Sequence, residues 1–423
     1  MHPRSSSGYC SRNAQISRPC NARSTRPVRI EYGLTLLLIG CGGVGHDARA
    51  PLVAPVSAAD IRSMGGDGTV AQTTRASVPT TIVSANETTN VEELFVLGQT
   101  HLRQGRPLLA AETFDRIVRH DPDGPFSERA LFQGALAFDA AGDLEAAALR
   151  FEQVTRRFPA GAWGAEATLR ALRVRLHLEQ WARAAELSIA LTEGEPRGPA
   201  LTLIVSHAAR ALAALASGQQ SDADRHVAKG LSIAERLGLD RAGTIPRDLA
   251  ILYFASGEAY RQRAEAVALA GDVSGFVERL EQRCELMLAA QGAYSNVMRA
   301  YDAHWSTMAG YRVGELYERL HRELMALPMP RTGNEREQRL FEGAMRLRYS
   351  VLLGKAESML DHTLAMAART GESSEWVART ESARLEISRA RREEQEALSR
   401  LPFTRDELQR AMDELGARPR TPQ

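Results

Sequence analysis

Cysteine is scarce: 423 residues hold four, Cys10, Cys20, Cys41 and Cys284. The first two precede a short apolar run and Cys41 closes it, so removal of that run as a signal leaves Cys284 as the one unmodified thiol. One thiol makes neither an internal disulfide nor a Cys-rich metal site. Cys284 itself lies in an apparent helix, "VERLEQRCELML", and reads as a buried thiol. Aromatic residues are only 6% of the chain. The apolar run before Cys41 is about half the ~20 residues that a spanning helix needs. Net charge is small, +1, and uneven: residues 1–40 carry six Arg and one Glu, which leaves about −4 for the remainder. Such a balance gives no nucleic-acid footprint. No phosphate loop, no H-E-x-x-H and no G-x-S-x-G occurs. The ten His are scattered, with none three or four apart, so no helical metal pair is expected. His101 reads as a packed histidine, and Gly42-Gly43-x-Gly45 follows no strand and reads as linker. Glu393-Glu394, beside Arg391 and Arg392, reads as a solvated surface. Catalytic residues, metal and cofactor are all expected to be none.

What is abundant is Ala, Arg, Glu and Leu, residues that lose little side-chain freedom in a helix. Apolar residues are 44% and charged residues 25%, as in an ordinary folded domain. Near the N-terminus the order is Arg26 and Arg29, then "LTLLLI", then Gly40 and Cys41. A charged start, a short apolar centre and a small residue before a cut is signal-peptide order. Leu38-Ile39-Gly40-Cys41 resembles the bacterial lipobox. That resemblance implies cleavage after Gly40, lipid on Cys41 and stable anchoring by two or more acyl chains. Gly42 rather than Asp follows Cys41, which by the same resemblance implies the outer membrane. The polar lead of over thirty residues is long for a signal n-region and points to a later translation start, at Val28 if its codon initiates. Residues 42–89 are rich in Gly, Ala, Ser, Thr and Val without a sustained period and read as a disordered tether. About 47 flexible residues reach roughly 35–40 Å.

From Val91 the texture becomes repetitive. Gly105 and Gly142, Ala110 and Ala147, Phe114 and Phe151, and Pro122 and Pro159 are each 37 apart; a further 37 leads to Ala184 and Pro196. Small residue, aromatic and proline within a helical pair resembles the tetratricopeptide repeat (TPR), whose unit is 34 residues. The three extra residues lengthen the turn between units. In the third copy Ser188 stands for the aromatic and Glu179 for the turn glycine. Gly98, Ala110 and Ala147 allow close helix approach, Phe114 and Phe151 fill the groove, and Pro122 and Pro159 stop the second helix. Gly218, Ala223 and Val227 mark a fourth pair. Gly257-Glu258-x-Tyr260 and Gly314-Glu315-x-Tyr317 repeat the Gly-x-x-Tyr of a TPR first helix, 57 apart. Long helices are expected over 334–370 and 374–399, and a short one from Thr404, where Glu407 completes a capping box.

The fold class is therefore all-α, a right-handed TPR-like helical-hairpin solenoid of five to seven pairs. The organisation is a lipoprotein signal at 1–40, lipidated Cys and linker at 41–89, repeats at 90–240, longer divergent hairpins at 241–400 and a C-terminal helix and tail at 401–423. Tyr311-Arg312-Val313-Gly314-Glu315-Leu316-Tyr317, Pro328, Pro330 and Glu375-Trp376 resemble TPR lipoproteins of gliding-motility complexes. The N-terminal pairs are similar in kind to the TPR lipoprotein of the barrel assembly machine. Those resemblances imply a non-enzymatic, lipid-anchored periplasmic scaffold whose partners are envelope proteins or peptides, in outer-membrane protein assembly or in motility or secretion machinery. The other implied role is an accessory regulator of cell-wall enzymes. In the TPR frame the inward positions are Phe95, Gln99 and Arg103, then Phe132, Leu136 and Asp139, then Leu169, Arg173 and His177. Phe95, Phe132 and Leu136 form an apolar strip with Arg103 and Arg173 beside it, suited to a peptide if open, and to a neighbouring helix if not.

Overall fold

Asn90 begins the first helix by accepting the Glu92 amide on its side chain at 3.0 Å, and the chain then alternates helix and turn to its end. In the computed structural model residues 90–192, 199–241, 245–270, 275–328 and 334–417 are described. The apolar run, Cys41, the linker, Pro196 and Pro330 lie outside them.

Among the described residues six hairpins follow one another. They are α1 (Val91–Arg103) with α2 (Pro107–His120), α3 (Ser127–Ala141) with α4 (Leu144–Arg157), and α5 (Gly164–His177) with α6 (Trp181–Thr192). Next come α7 (Ala200–Ala216) with α8 (Gln220–Arg236), α9 (Leu249–Ala266) with α10 (Phe276–Arg299), and α11 (Ala303–Met325) with α12 (Glu335–Thr370). α13 (Glu375–Ser399) packs on α12 and α11, and α14 (Arg405–Ala417) turns back onto α12. The described residues contain no strand, and none of their helices is long and apolar enough to cross a membrane.

The hairpins form where the sequence spacing predicts. Pro122 and Pro159 each follow the capping residue of α2 and α4, Asp121 and Phe158, because proline has no amide to continue the ladder. Gly105 and Gly142 take φ of +68° and +80°, the left-handed turn that a Cβ disfavours. Ala110, Phe114, Ala147 and Phe151 are fully buried. A Cβ added at Gly98 would lie 2.7 Å from the Phe114 ring, so the small residue is required by contact. At Ser188, where the aromatic is missing, Arg210 of α7 donates to the hydroxyl at 3.1 Å and fills the place. We expect Ala147→Leu to overpack the second hairpin and cost about 1–3 kcal/mol, read as a lower unfolding midpoint. A midpoint equal to the parent's would contradict this packing.

From α9 the helices lengthen, from 12–17 residues in α1–α8 to 18–36 in α9–α13. Glycines again mark the crossings. Gly257 faces the Tyr294 ring, and Gly314 faces Leu360, each with 2.5 Å to an added Cβ. The long helix α12 spans 36 residues behind an Asn334 cap, and α14 opens on the expected capping box. There the Glu407 amide donates to Thr404 Oγ1 at 3.3 Å and the Thr404 amide to Glu407 Oε2 at 2.8 Å. Cys284 is buried in α10, and burial pushes its thiol up to about 12, well away from reactivity. One surface expectation is corrected: Glu394 turns onto α12, where Arg346 donates to it at 2.9 and 3.0 Å, and only Glu393 faces outward.

Candidate functional site

The first helices of the hairpins, α1, α3 and α5, present the inward positions. The three extra residues per unit decide what those positions can do. They lengthen the turns before α3 and α5, and the last residue of each turn is aromatic, Phe126 and Trp163, again 37 apart. Phe126 lies 5.8 Å from Phe95, and Trp163 stacks on Phe132 at 4.7 Å with 29° between rings. Arg129 lies 4.6 Å above Phe95 and Arg170 5.8 Å from Phe132. Phe95 and Phe132 are consequently 4% and 2% exposed, so the expected strip is not open there. An aromatic in a turn is cheap to bury over another ring, worth about 0.5–1.5 kcal/mol beyond its area. The signal was present in the sequence as two aromatics at the repeat spacing.

The polar inward residues divide. Arg103 is exposed and donates to Thr100 Oγ1 at 3.0 Å; Gln99, Leu136 and Asp139 are half-buried. Leu169 is at the edge of burial, 9% exposed. Arg173 and His177 are engaged from far along the chain. Arg173 makes a two-pronged bond to the Asp248 carboxylate, at 3.0 and 2.7 Å, and Asp248 caps α9. His177 stacks on His304, the second residue of α11, with ring centroids 3.6 Å apart and 22° between planes.

Two residues after His177 comes Glu179. It occupies the place of Gly105 and Gly142 one unit later and adopts the same left-handed backbone, φ +57°. A residue with a Cβ pays roughly 1–2 kcal/mol for that conformation. Its carboxylate accepts the Trp376 indole N–H at 3.0 Å across 197 residues, and Arg379 is 4.0 Å away. The Trp376 ring is flanked by Tyr311 at 5.3 Å, Arg379 at 4.5 Å and Arg312 at 5.3 Å. Tyr311 and Trp376, residues of one C-terminal sequence skeleton, thus meet in space, and they meet at the third repeat.

Charge at this junction is controlled by burial. Burial holds His177 below the usual imidazole range against the pull of Glu372, Asp302, Asp139 and Glu179. His304 is held down to about 4 by burial and by the His177 ring, with Glu372 opposing. Neither ring nitrogen of His304 has a partner within hydrogen-bond distance; Glu372 Oε1 is 3.7 Å from Nδ1. Both rings are therefore neutral at pH 7. Stacked face to face, they cannot share an ion in both ring planes, and among the described residues no group of three His, Cys, Asp or Glu is arranged to hold a metal.

The pairing of Gly98 with Phe114, closed by Pro122, decides the kind of repeat. The array is TPR-like. No protein-family model matches the chain, and no curated protein does. Solved structures are similar at a distance, two among them as follows. A tetratricopeptide repeat protein from Parabacteroides merdae is 14% identical, covering 64% of this chain and 93% of its own, with a TM-score of 0.32. A circular tandem repeat protein of novel repeat topology is 16% identical, covering 77% and 76%, with a TM-score of 0.23. The TPR-like reading rests on contacts inside this chain, from the Gly98–Phe114 approach to the 37-residue recurrence of turns.

Proposed function

We propose that the chain is a non-enzymatic scaffold, tethered through lipid on Cys41 to the bacterial outer membrane, that gathers envelope proteins on the periplasmic side. The observation that carries this reading is the array itself. Stacked hairpins that each bury one flank against the next expose a long, side-chain-rich surface, which is the form that protein recruitment uses. Leu38-Ile39-Gly40-Cys41 after Arg29 supports the anchor. The similarity of 311–317 and 375–376 to motility lipoproteins favours a motility or secretion complex over outer-membrane protein assembly. The inner residues open to a partner are Gln99, Arg103, Leu136 and Asp139 of the first two hairpins, not Phe95 or Phe132.

Two measurements test this. Cys41→Ser is expected to move the protein from the membrane pellet to the soluble fraction; unchanged sedimentation removes the anchor. Proximity labelling from the intact chain is expected to mark motor or secretion subunits. Labelling confined to cell-wall hydrolases or synthases replaces the scaffold with a regulator of those enzymes, and labelling of barrel-assembly subunits moves the scaffold to that machine.

A further inference from the structure

The inner face of the third hairpin is already occupied, by the chain's own later helices. Three side-chain contacts do this: Arg173 with Asp248, His177 with His304, and Glu179 with Trp376, spanning 75, 127 and 197 residues. They differ from ordinary repeat packing in two ways. First, α5 and α6 do not pack lengthwise against α11 or α13; single side chains at helix ends make the contact. Second, two of the groups are held at a cost. Glu179 takes a left-handed backbone where the earlier copies place glycine, and His304 buries two ring nitrogens without hydrogen bonds, at 7% exposure. Strained backbone and unpaired buried groups persist only where surrounding contacts impose them, and they cluster at elements that switch.

We propose that the α5–α6 turn and the starts of α9, α11 and α13 form a latch, which covers the His177 ring and ties up the partly exposed Arg173 guanidinium, and must release before a partner can take both. The occupants show what a competitor must supply. Asp248 offers Arg173 a carboxylate, and His304 offers His177 a flat neutral ring. A partner segment with an acidic residue near an aromatic or histidine has the chemistry to displace both. This refines the scaffold reading by assigning a closed and an open form to the same surface.

Trp376→Ala and Glu179→Gly in the full chain test the latch without any partner. Glu179→Gly is the sharper variant, because it removes the acceptor while relieving the backbone. Its thermal midpoint should stay at or above the parent's. Hydrogen exchange at 173–181, 302–312 and 372–380 should accelerate tenfold or more in both variants, with α1–α4 unchanged, and small-angle scattering should show a larger radius of gyration. If Glu179→Gly leaves scattering and exchange at those three segments as in the parent, the latch does not exist. If Trp376→Ala accelerates exchange uniformly and Glu179→Gly lowers the midpoint, these residues are ordinary core and the proposal is equally overturned. Either failure leaves the scaffold reading intact, since no partner enters the measurement.

Discussion

Glu258→Ala is expected to cost about 3–5 kcal/mol, toward the lower end, read as the shift of a denaturant midpoint. Glu258 is 7% exposed on α9. It accepts the Tyr294 hydroxyl of α10 at 2.6 Å and Arg261 at 2.7 Å, and Arg312 of α11 lies 3.2 Å away. Burial alone would raise its carboxyl, but Arg312, Arg261 and the Tyr294 hydrogen bond outweigh it and hold the group ionised. The bonds continue outward from Arg261 to Glu265, Arg319, Glu323 and Arg283 at 2.7–3.0 Å. Deleting Glu258 strands the Tyr294 hydroxyl and leaves Arg261 and Arg312 short of one carboxylate in a dry setting. Each keeps a second one, Glu265 and Glu315, which limits the loss. Glu265, whose side chain is 15% exposed, is the control. A Glu258→Ala shift no greater than that of Glu265→Ala would show that the network has no centre.

Acid should weaken the fold through its buried histidines as pH falls below about 6.5. His304 and His207 sit at about 4, and His177, His226 and His321 are also lowered. Burial is the first cause in each. For His207 the neighbouring His226 adds to it, with the two Nδ1 atoms 3.1 Å apart. Because the folded pKa lies below the unfolded value near 6.5, the unfolded chain takes up protons first. Stability is therefore complete above pH 6.5, declines as pH falls, and stops declining from this source near pH 4. Between pH 6.5 and 5 the loss for His304 and His207 is on the order of 1 kcal/mol each once solvent screening is allowed for. Glu258 and Glu152 are lowered as well, so their contribution has the same sign at a lower pH: it is present above 4.5 and is lost only as pH falls below it. Thermal midpoints at pH 7.5 and 5 measure the effect, and His304→Phe should remove its share of the difference. Equal midpoints at the two pH values would mean that these rings are hydrated in solution.

The parts of this fold that the sequence made legible are those governed by neighbours along the chain. Pro122 and Pro159 stop helices through their own missing amides, Thr404 and Glu407 cap through a three-residue contact, and α12 and α13 follow their periodicity to within a residue. The state of the candidate residues was not legible. Phe95 and Phe132 are buried, and their covering by Phe126 and Trp163 depends on where a turn folds back. Arg173 and His177 are met by Asp248 and His304, 75 and 127 residues further on, and no local pattern announces those partners. Glu179 was visible as the residue lacking glycine's freedom. That its side chain was needed 197 residues away was not, since no local pattern records a partner at that range.

The uneven helix lengths have a mechanical consequence. α12, at 36 residues and about 54 Å, lies alongside α11, α13 and α14, whereas α1 and α2, at 13 and 14 residues, are shorter than any helix of α9–α12 and touch few elements. A load applied at residue 90 therefore meets the weakest unit first. The early pairs peel one after another at low force, while α9–α11, cross-braced by guanidinium and carboxylate groups, yield together or not at all. Such a chain behaves as a compliant strap sewn to a stiff block.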